Sequence, residues 1–194
     1  PKREMICARL VLSRPARRGP SVNRRALVIG AGLAGSAVCE RLAVRGWEVT
    51  LLERHTAQVF KSFGNRTGIF HPLVSPDDNL YSRLTRAAFT WCFQQWQLLE
   101  QSGLAVESAR CGVLQVARDE QKSARQRAAI EALGYPSEYA CWLDRAQASC
   151  IAGVAVPDGG AWFPRAGWVR PLSLVSALLA KCGERLDARF GCEV

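Results

Sequence analysis

The clearest pattern of apolar and polar positions lies between residues 26 and 53. The continuous apolar run 26–29 is typical of a strand buried in a parallel sheet. Apolar residues then recur at near-helical spacing over 33–45, Gly46 is suited to end that helix, and 47–53 has the pattern of a second strand. The pattern therefore predicts a βαβ unit of the length that a parallel crossover needs.

Weaker patterns predict the elements on either side of this unit. Residues 5–12 have the pattern of a short strand, followed by a linker rich in Pro, Gly and Arg. Residues 62–75 are expected to form a loop, and a long helix is expected over 79–102, capped by Asp77 or Asp78. The remaining predictions are a strand over 111–117, a helix over 119–133, a hairpin joining 153–156 to 161–163, a helix from Pro171 to about 182, and a strand over 188–194.

The charge of the chain is unevenly distributed. The formal net charge is +9, yet residues 1–25 alone hold eight of the 26 Lys and Arg residues and one of the 17 acidic ones, so the rest is nearly neutral. Such a basic arm is equally consistent with a solvated linker and with contact to nucleic acid. The 48% hydrophobic content excludes a disordered chain, and no apolar run approaches the roughly 18–20 residues of a membrane span.

The eight cysteines are scattered without a CxxC pair, and the sequence contains only two histidines. A zinc site is therefore not expected. No apolar segment of the signal-peptide type follows the basic start of the chain. Free thiols in a reducing compartment are the simplest interpretation, so the protein is expected to be cytoplasmic.

A glycine-rich motif joins the first predicted strand to the first helix. Gly30 permits a tight turn, Gly32 lets a pyrophosphate approach the backbone, and Gly35 lets helix and strand pack closely. The helix N-terminus supplies N–H groups for phosphates, and Glu53 is placed to accept hydrogen bonds from ribose hydroxyls. Like-charge repulsion between Glu53 and a 2′-phosphate argues against NADP, in spite of the adjacent Arg54. The candidate cofactor-binding residues here are Gly30, Ala31, Gly32, Leu33, Ala34, Gly35, Glu53 and Arg54.

The segment after the βαβ unit favours FAD over a nicotinamide cofactor. A nicotinamide-binding domain usually continues with strand–helix units, whereas this chain continues with a long loop and a long helix that carries aromatic residues. Backbone N–H groups near its glycines could face a second phosphate or the edge of a flavin. The candidates in this loop are Ser62, Gly64, Asn65 and Gly68.

On these residues the sequence resembles the FAD-dependent oxidoreductases of the D-amino-acid-oxidase and glycine-oxidase family. The shared positions are Gly30, Gly32, Gly35, Leu42, Gly46, Val49 and Glu53, with Cys39 where the family usually has Ala or Gly. Within that family it is similar to the bifunctional enzymes that modify the wobble uridine of tRNA. That similarity rests on residues 2–5, 64–68, 72–73, 111–115, 159–162 and 167–171.

The resemblance implies both an activity and partners. The fold would be α/β, a Rossmann-like FAD-binding domain of the D-amino-acid-oxidase type with part of an interleaved substrate domain. The activity would be removal of the carboxymethyl group from carboxymethylaminomethyl-uridine in tRNA, releasing glyoxylate and leaving the aminomethyl group. A preceding methyltransferase domain, in contact with this part, would then methylate that amine with S-adenosylmethionine. FAD would perform the redox step and the protein would orient the substrate.

The same resemblance divides the chain into segments. Residues 1–12 would end the methyltransferase domain, 13–25 would be a basic linker, 26–75 the FAD-binding unit with its flavin loop, 76–170 part of the substrate domain, and 171–194 a return to the FAD-binding domain. Val194 would begin a strand that contacts adenine. Arg165 or Arg170 could pair with a substrate carboxylate, although solvated surface arginines are the commoner case. No catalytic acid or base is assigned.

Two alternatives remain open from the residues. The first is an FAD-dependent oxidase of a free amino acid such as glycine or sarcosine. The second is an inactive nucleotide-binding fragment, because the chain is expected to be a piece of a longer protein. On that basis we expect residues 1–194 alone to bind FAD poorly and to be inactive.

Overall fold

The computed structural model describes residues 23–56 and 66–193. The strands are β1 (Arg25–Ile29), β2 (Glu48–Glu53), β3 (Gly68–Phe70), β4 (Ser108–Ala109), β5 (Val113–Val116), β6 (Cys141–Leu143), β7 (Gly160–Phe163), β8 (Gly167–Val169) and β9 (Leu186–Phe190). The helices are α1 (Leu33–Ala43), α2 (Leu80–Gln101), α3 (Glu120–Leu133), α4 (Arg145–Ala152) and α5 (Pro171–Lys181), with a 3₁₀ turn at Gly183–Arg185. Among the residues described, none of the five α-helices combines the length and the hydrophobicity of a membrane span.

The first sheet is parallel and has the strand order β1-β2-β9. Val28 is in register with Leu51, and Glu53 is in register with Phe190. Helices α1 and α5 pack together and cover one face of this sheet, as the shared core cluster shows. That cluster consists of Ala31, Cys39, Ala43, Val49, Leu51, Val175, Leu179 and Cys182. The predicted βαβ unit is therefore confirmed, and residues 186–190 return to the same sheet.

Two antiparallel sheets of three strands make up the middle of the chain. Their orders are β3-β8-β4 and β5-β7-β6. The second sheet packs against α3 and against the aromatic face of α2, and Phe89, Ile130 and Phe163 belong to one buried cluster. The boundaries proposed at residues 75 and 170 stay predictions.

The long helix α2 begins at a residue other than the two predicted as its cap. The side chain of Asn79 accepts a hydrogen bond from the Ser82 N–H at 3.0 Å, so Asn79 is the N-cap. Asp78 instead has a left-handed backbone with φ of +42° and binds Arg86 through both carboxylate oxygens. The prediction of Asp77 or Asp78 as the cap is wrong because Asp78 is engaged with the second turn of the helix.

The predicted hairpin between 153–156 and 161–163 is also wrong. Helix α4 occupies 145–152, begins with a capping box between Asp144 and Gln147, and ends at Gly153 in a left-handed conformation. Strand β7 pairs instead with β5 and β6, which lie farther away along the chain. The expected loop over 62–75 contains the short strand β3, and the strand predicted over 188–194 begins two residues earlier. The strand predicted over 5–12 lies outside the described residues.

Candidate cofactor site

The glycine-rich turn has the geometry that its sequence predicts. Gly30 has a φ of +94°, a conformation that favours glycine, and its N–H donates to the Leu52 carbonyl at 2.8 Å. A Cβ atom at Gly35 would lie 1.8 Å from the carbonyl oxygen of Gly30. Helix α1 therefore approaches the end of β1 so closely that only glycine fits at position 35.

The N-terminus of α1 is built to receive an anion. Its N-cap is Gly32, which has an extended backbone and no side chain to occupy the N–H groups of the first turn. The carbonyl of Gly32 accepts the N–H of Ser36 at 2.9 Å, so the helical hydrogen bonds begin there. The first turn, at Leu33, Ala34 and Gly35, contains no acidic residue. The unpaired N–H groups and the positive end of the helix dipole therefore favour a phosphate at this point.

Glu53 lies at the carboxyl end of β2 beside this turn. Its Oε2 accepts the Ala31 N–H at 2.8 Å and its Oε1 accepts the His55 N–H at 3.0 Å. Burial of the carboxyl acts to raise its pKa, but these two donors and the charges of His55 and Arg54 outweigh burial, so the pKa lies below its ordinary value. The side chain is thus an ionised acceptor with lone pairs remaining for hydroxyl groups.

The segment after β9 closes the edge of the site. Cys192 N–H donates to the Glu53 carbonyl and Gly191 N–H donates to the His55 carbonyl, both at 2.9 Å. Arg54, between these two bonded positions, is exposed. The backbone on both sides of Arg54 is therefore fixed, and its side chain is free to lie beside a bound nucleotide.

The structure brings one group of the predicted residues together and leaves others apart. The group at the ends of β1 and β2 comprises Gly30, Ala31, Gly32, Leu33, Ala34, Gly35, Glu53 and Arg54. Gly68 begins β3, near the first residue of α5: a Cβ atom there would lie 3.6 Å from Cγ of Pro171. Ser62, Gly64, Asn65 and Val194 lie outside the described residues.

The two arginines suggested for substrate binding differ in their surroundings. Arg165 is exposed in the turn between β7 and β8. The Nη1 of Arg170 donates to both carboxylate oxygens of Glu107 at 2.9 and 2.8 Å, and its backbone N–H donates to the Glu107 carbonyl at 2.7 Å. Arg170 is thus already paired with a carboxylate of this chain, and a substrate role for either arginine stays a prediction.

The sequence did not indicate how Glu53 is oriented. Its two oxygens are held by backbone N–H groups of Ala31 and His55, which any residue type can provide. The only local signal was the position of Glu53 directly after an apolar strand. No group of three or more His, Cys, Asp or Glu side chains in the described ranges is arranged to hold a metal ion.

These residues fit the adenosine diphosphate half of a dinucleotide. The uncapped turn of α1 suits the pyrophosphate, and the buried carboxylate suits the two ribose hydroxyls. Neutralisation of the phosphates would come from backbone dipoles, because no lysine or arginine lies between residues 30 and 40. These residues could therefore hold the adenosine diphosphate half of FAD through the main chain and one side chain.

Comparison with known proteins identifies the family to which this chain is related. The model of the family DAO, "FAD dependent oxidoreductase", matches residues 25–194. A protein from Paraburkholderia phytofirmans named "tRNA 5-methylaminomethyl-2-thiouridine biosynthesis bifunctional protein MnmC" is 46% identical over 171 residues, which are 88% of this chain and 26% of that protein. A protein of the same name from Ralstonia nicotianae is 41% identical over 194 residues, covering 97% of this chain and 30% of that protein.

Solved structures agree on the fold. Glycine oxidase from Bacillus cereus superposes with a TM-score of 0.67 at 22% identity, over 89% of this chain and 47% of that one. L-proline dehydrogenase from P. horikoshii gives a TM-score of 0.65 at 22% identity, over 87% of this chain and 43% of that one. The predicted α/β fold of the D-amino-acid-oxidase type and the predicted FAD cofactor are confirmed. This chain belongs to the DAO family of FAD-dependent oxidoreductases.

Proposed function

We propose that this chain is the FAD-dependent oxidoreductase part of a bifunctional enzyme that removes the carboxymethyl group from carboxymethylaminomethyl-uridine at the wobble position of tRNA. The observation that carries the proposal is the 46% identity over 171 residues to a relative whose name states tRNA 5-methylaminomethyl-2-thiouridine biosynthesis. This chain spans about a quarter of the length of that relative, so the activity of the whole protein belongs to the proposal.

The residues of this chain have binding and orienting roles in the proposed reaction. The first turn of α1 binds the pyrophosphate through its N–H groups, and Glu53 accepts hydrogen bonds from the ribose. FAD, when bound, supplies the oxidant for the carbon–nitrogen bond of the substrate. The N–H groups of Ala31 and His55 hold the Glu53 carboxylate in place before the cofactor binds. Little conformational entropy of this side chain is therefore lost when the ribose binds.

The partners and location follow from the proposed substrate. The basic arm of residues 1–25 supports contact with the tRNA backbone, because phosphate neutralisation by Lys and Arg dominates nucleic-acid affinity. The relatives are called bifunctional, which supports a methyltransferase domain that uses S-adenosylmethionine and contacts this part. A tRNA substrate supports a cytoplasmic location.

The experiment compares tRNA with free amino acids as substrates of a full-length protein that contains this chain. We expect it to convert carboxymethylaminomethyl-uridine in tRNA to aminomethyl-uridine when S-adenosylmethionine is omitted, with one glyoxylate released per modified base. Nucleoside mass spectrometry and a glyoxylate assay measure the two products. Turnover of glycine or sarcosine without turnover of tRNA would establish the amino-acid oxidase instead.

A further inference from the structure

Helix α2 has a second apolar face in addition to the one it buries. Its buried residues are Ser82, Phe89, Trp96 and Leu99. On the opposite side Leu80, Leu84, Trp91 and Leu98 are 79%, 61%, 43% and 47% exposed. These positions are separated by four, seven and seven residues, so they form one stripe along the helix. A helix that is apolar on both sides is typical of a position between two layers of protein.

The outer face of α2 carries little charge beyond its first turn, where Arg83 is exposed. Between residues 84 and 99 the sequence has a single charged residue, Arg86, and that guanidinium is bound to Asp78 and to the Tyr135 hydroxyl. By contrast, the exposed side of α3 has Lys122 and Arg125. Charged residues are depleted and tryptophan is enriched at the centres of protein interfaces. The composition of α2 is thus typical of a covered surface.

The stripe continues into a groove between α1, α2 and α5. The groove has a volume of about 470 Å³ and is lined mainly by apolar side chains of all three helices. Its principal apolar lining residues are Leu33, Val44, Trp91, Leu98, Leu174 and Leu178. We call the stripe and this groove together the α2 groove. Leu98 lies 18 residues after Leu80, or roughly 27 Å along the helix at 1.5 Å per residue, so the stripe can contact a helix of about five turns.

The charges at the α2 groove are positive on balance. The guanidinium of Arg41 is bound by the buried carboxylate of Glu40 and lies 5.6 Å from the ring centroid of Trp91, so its charge is balanced within the protein. Lys181, at the end of α5, hydrogen-bonds to the Ser102 hydroxyl and the Leu98 carbonyl. Within residues 23–56 and 66–193, Lys181 forms no ion pair. An acidic side chain placed over Lys181 would neutralise it.

We propose that the α2 groove binds an amphipathic helix from the part of a longer polypeptide that lies beyond these 194 residues. That helix has aliphatic side chains at i, i+7 and i+14 facing Leu84, Trp91 and Leu98, and an acidic residue that pairs with Lys181. A helix is the occupant because it satisfies its own backbone hydrogen bonds while filling an apolar groove. The chain corresponds to 26% and 30% of the length of two curated relatives, which have ample further sequence to supply it.

Hydroxyl-radical footprinting of the 194-residue chain and of the full-length protein tests this assignment. We expect oxidation of Leu84, Trp91 and Leu98 to fall several-fold in the full-length protein. Ile151 and Val154, exposed on and after α4 outside the groove, serve as controls for a general change in reactivity. Equal oxidation of the stripe in both proteins would overturn the proposal. The stripe could instead become protected in the 194-residue chain as its concentration rises, with a doubled mass by light scattering. That result would also overturn the proposal, because a second copy of the chain would then cover the groove.

A second measurement tests the role of Lys181. In the full-length protein, carbodiimide is expected to couple the Lys181 amine to a carboxylate outside residues 1–194, which peptide mass spectrometry identifies. Lys181→Glu is expected to abolish that product and to raise oxidation of Leu98, whereas Lys122→Glu on α3 changes neither. Coupling of Lys181 to a carboxylate within residues 1–194, no coupling product, or equal effects of the two substitutions would contradict the proposed pairing. The outcome does not depend on the tRNA activity.

Discussion

The backbone N–H of Ala31 donates to Oε2 of Glu53 at 2.8 Å in a buried position. This bond joins the turn after β1 to the end of β2, so the turn proposed to bind the pyrophosphate and the carboxylate proposed to bind the ribose have a fixed relative position. The His55 N–H holds the other carboxylate oxygen at 3.0 Å. The fold itself therefore holds both carboxylate oxygens of Glu53 in place beside the turn.

Glu53→Gln is expected to weaken both the fold and cofactor binding. A glutamine has one carbonyl oxygen for two backbone N–H donors, so one buried donor loses its acceptor. We expect the free energy of unfolding to fall by about 1–3 kcal/mol and FAD affinity to fall about tenfold or more. Urea unfolding and flavin titration of a full-length protein that contains this chain measure these changes. Glu48→Gln is the control, because Glu48 lies at the exposed start of β2 in a surface ion pair with Arg185.

The lowered pKa of Glu53 predicts a loss of stability in acid. A carboxyl whose pKa is lower in the folded than in the unfolded state stabilises the fold above its unfolded pKa of about 4.3. That contribution is lost as the pH falls from there through the folded value. Unfolding free energies measured from pH 6 downwards should therefore decline less steeply below about pH 4.3 for Glu53→Gln than for the unchanged chain. Parallel curves would contradict the pKa assignment.

Gly35→Ala is expected to disrupt the packing of α1 on β1. The added Cβ would lie 1.8 Å from the carbonyl oxygen of Gly30, and that backbone atom cannot move aside without displacing the turn. We expect a loss of about 1–3 kcal/mol in unfolding free energy and a loss of flavin binding. Val38→Ala, at an exposed position in the same helix, should change stability by roughly 0.5 kcal/mol or less. Equal stability of the two variants would show that α1 lies farther from β1 than the close approach at Gly35 implies.

The cysteines are expected to differ in reactivity. Burial, with the neighbouring Cys39 and Glu40, raises the pKa of Cys182 to about 12, and burial also raises the pKa of the Cys39 thiol. Cys111 and Cys150 are exposed. Iodoacetamide at neutral pH should label Cys111 and Cys150 in the native protein, and should label Cys39 and Cys182 only after denaturation. Peptide mass spectrometry reads out each site, and early labelling of Cys182 would contradict the packing of α5 on α1.

Local constraints were predictable from the sequence, and contacts between distant segments were not. Gly30 and Gly35 are required by the turn and by close packing, both of which depend on residues nearby in the chain. The cap of α2 was assigned to the wrong neighbour because Asp77, Asp78 and Asn79 are all good caps, and the choice depends on Arg86 binding Asp78. Strand β7 was assigned to a hairpin because its partner β5 lies more than forty residues earlier.

Anaerobic mixing of the full-length holoenzyme with tRNA that carries carboxymethylaminomethyl-uridine decides whether the tRNA base is the reductant of the flavin. We expect the visible flavin absorbance to bleach in proportion to the modified base added, glycine and sarcosine to leave it unchanged, and the Glu53→Gln protein to show little flavin to bleach. Bleaching by glycine or sarcosine but not by the tRNA would show that the enzyme is an amino-acid oxidase instead.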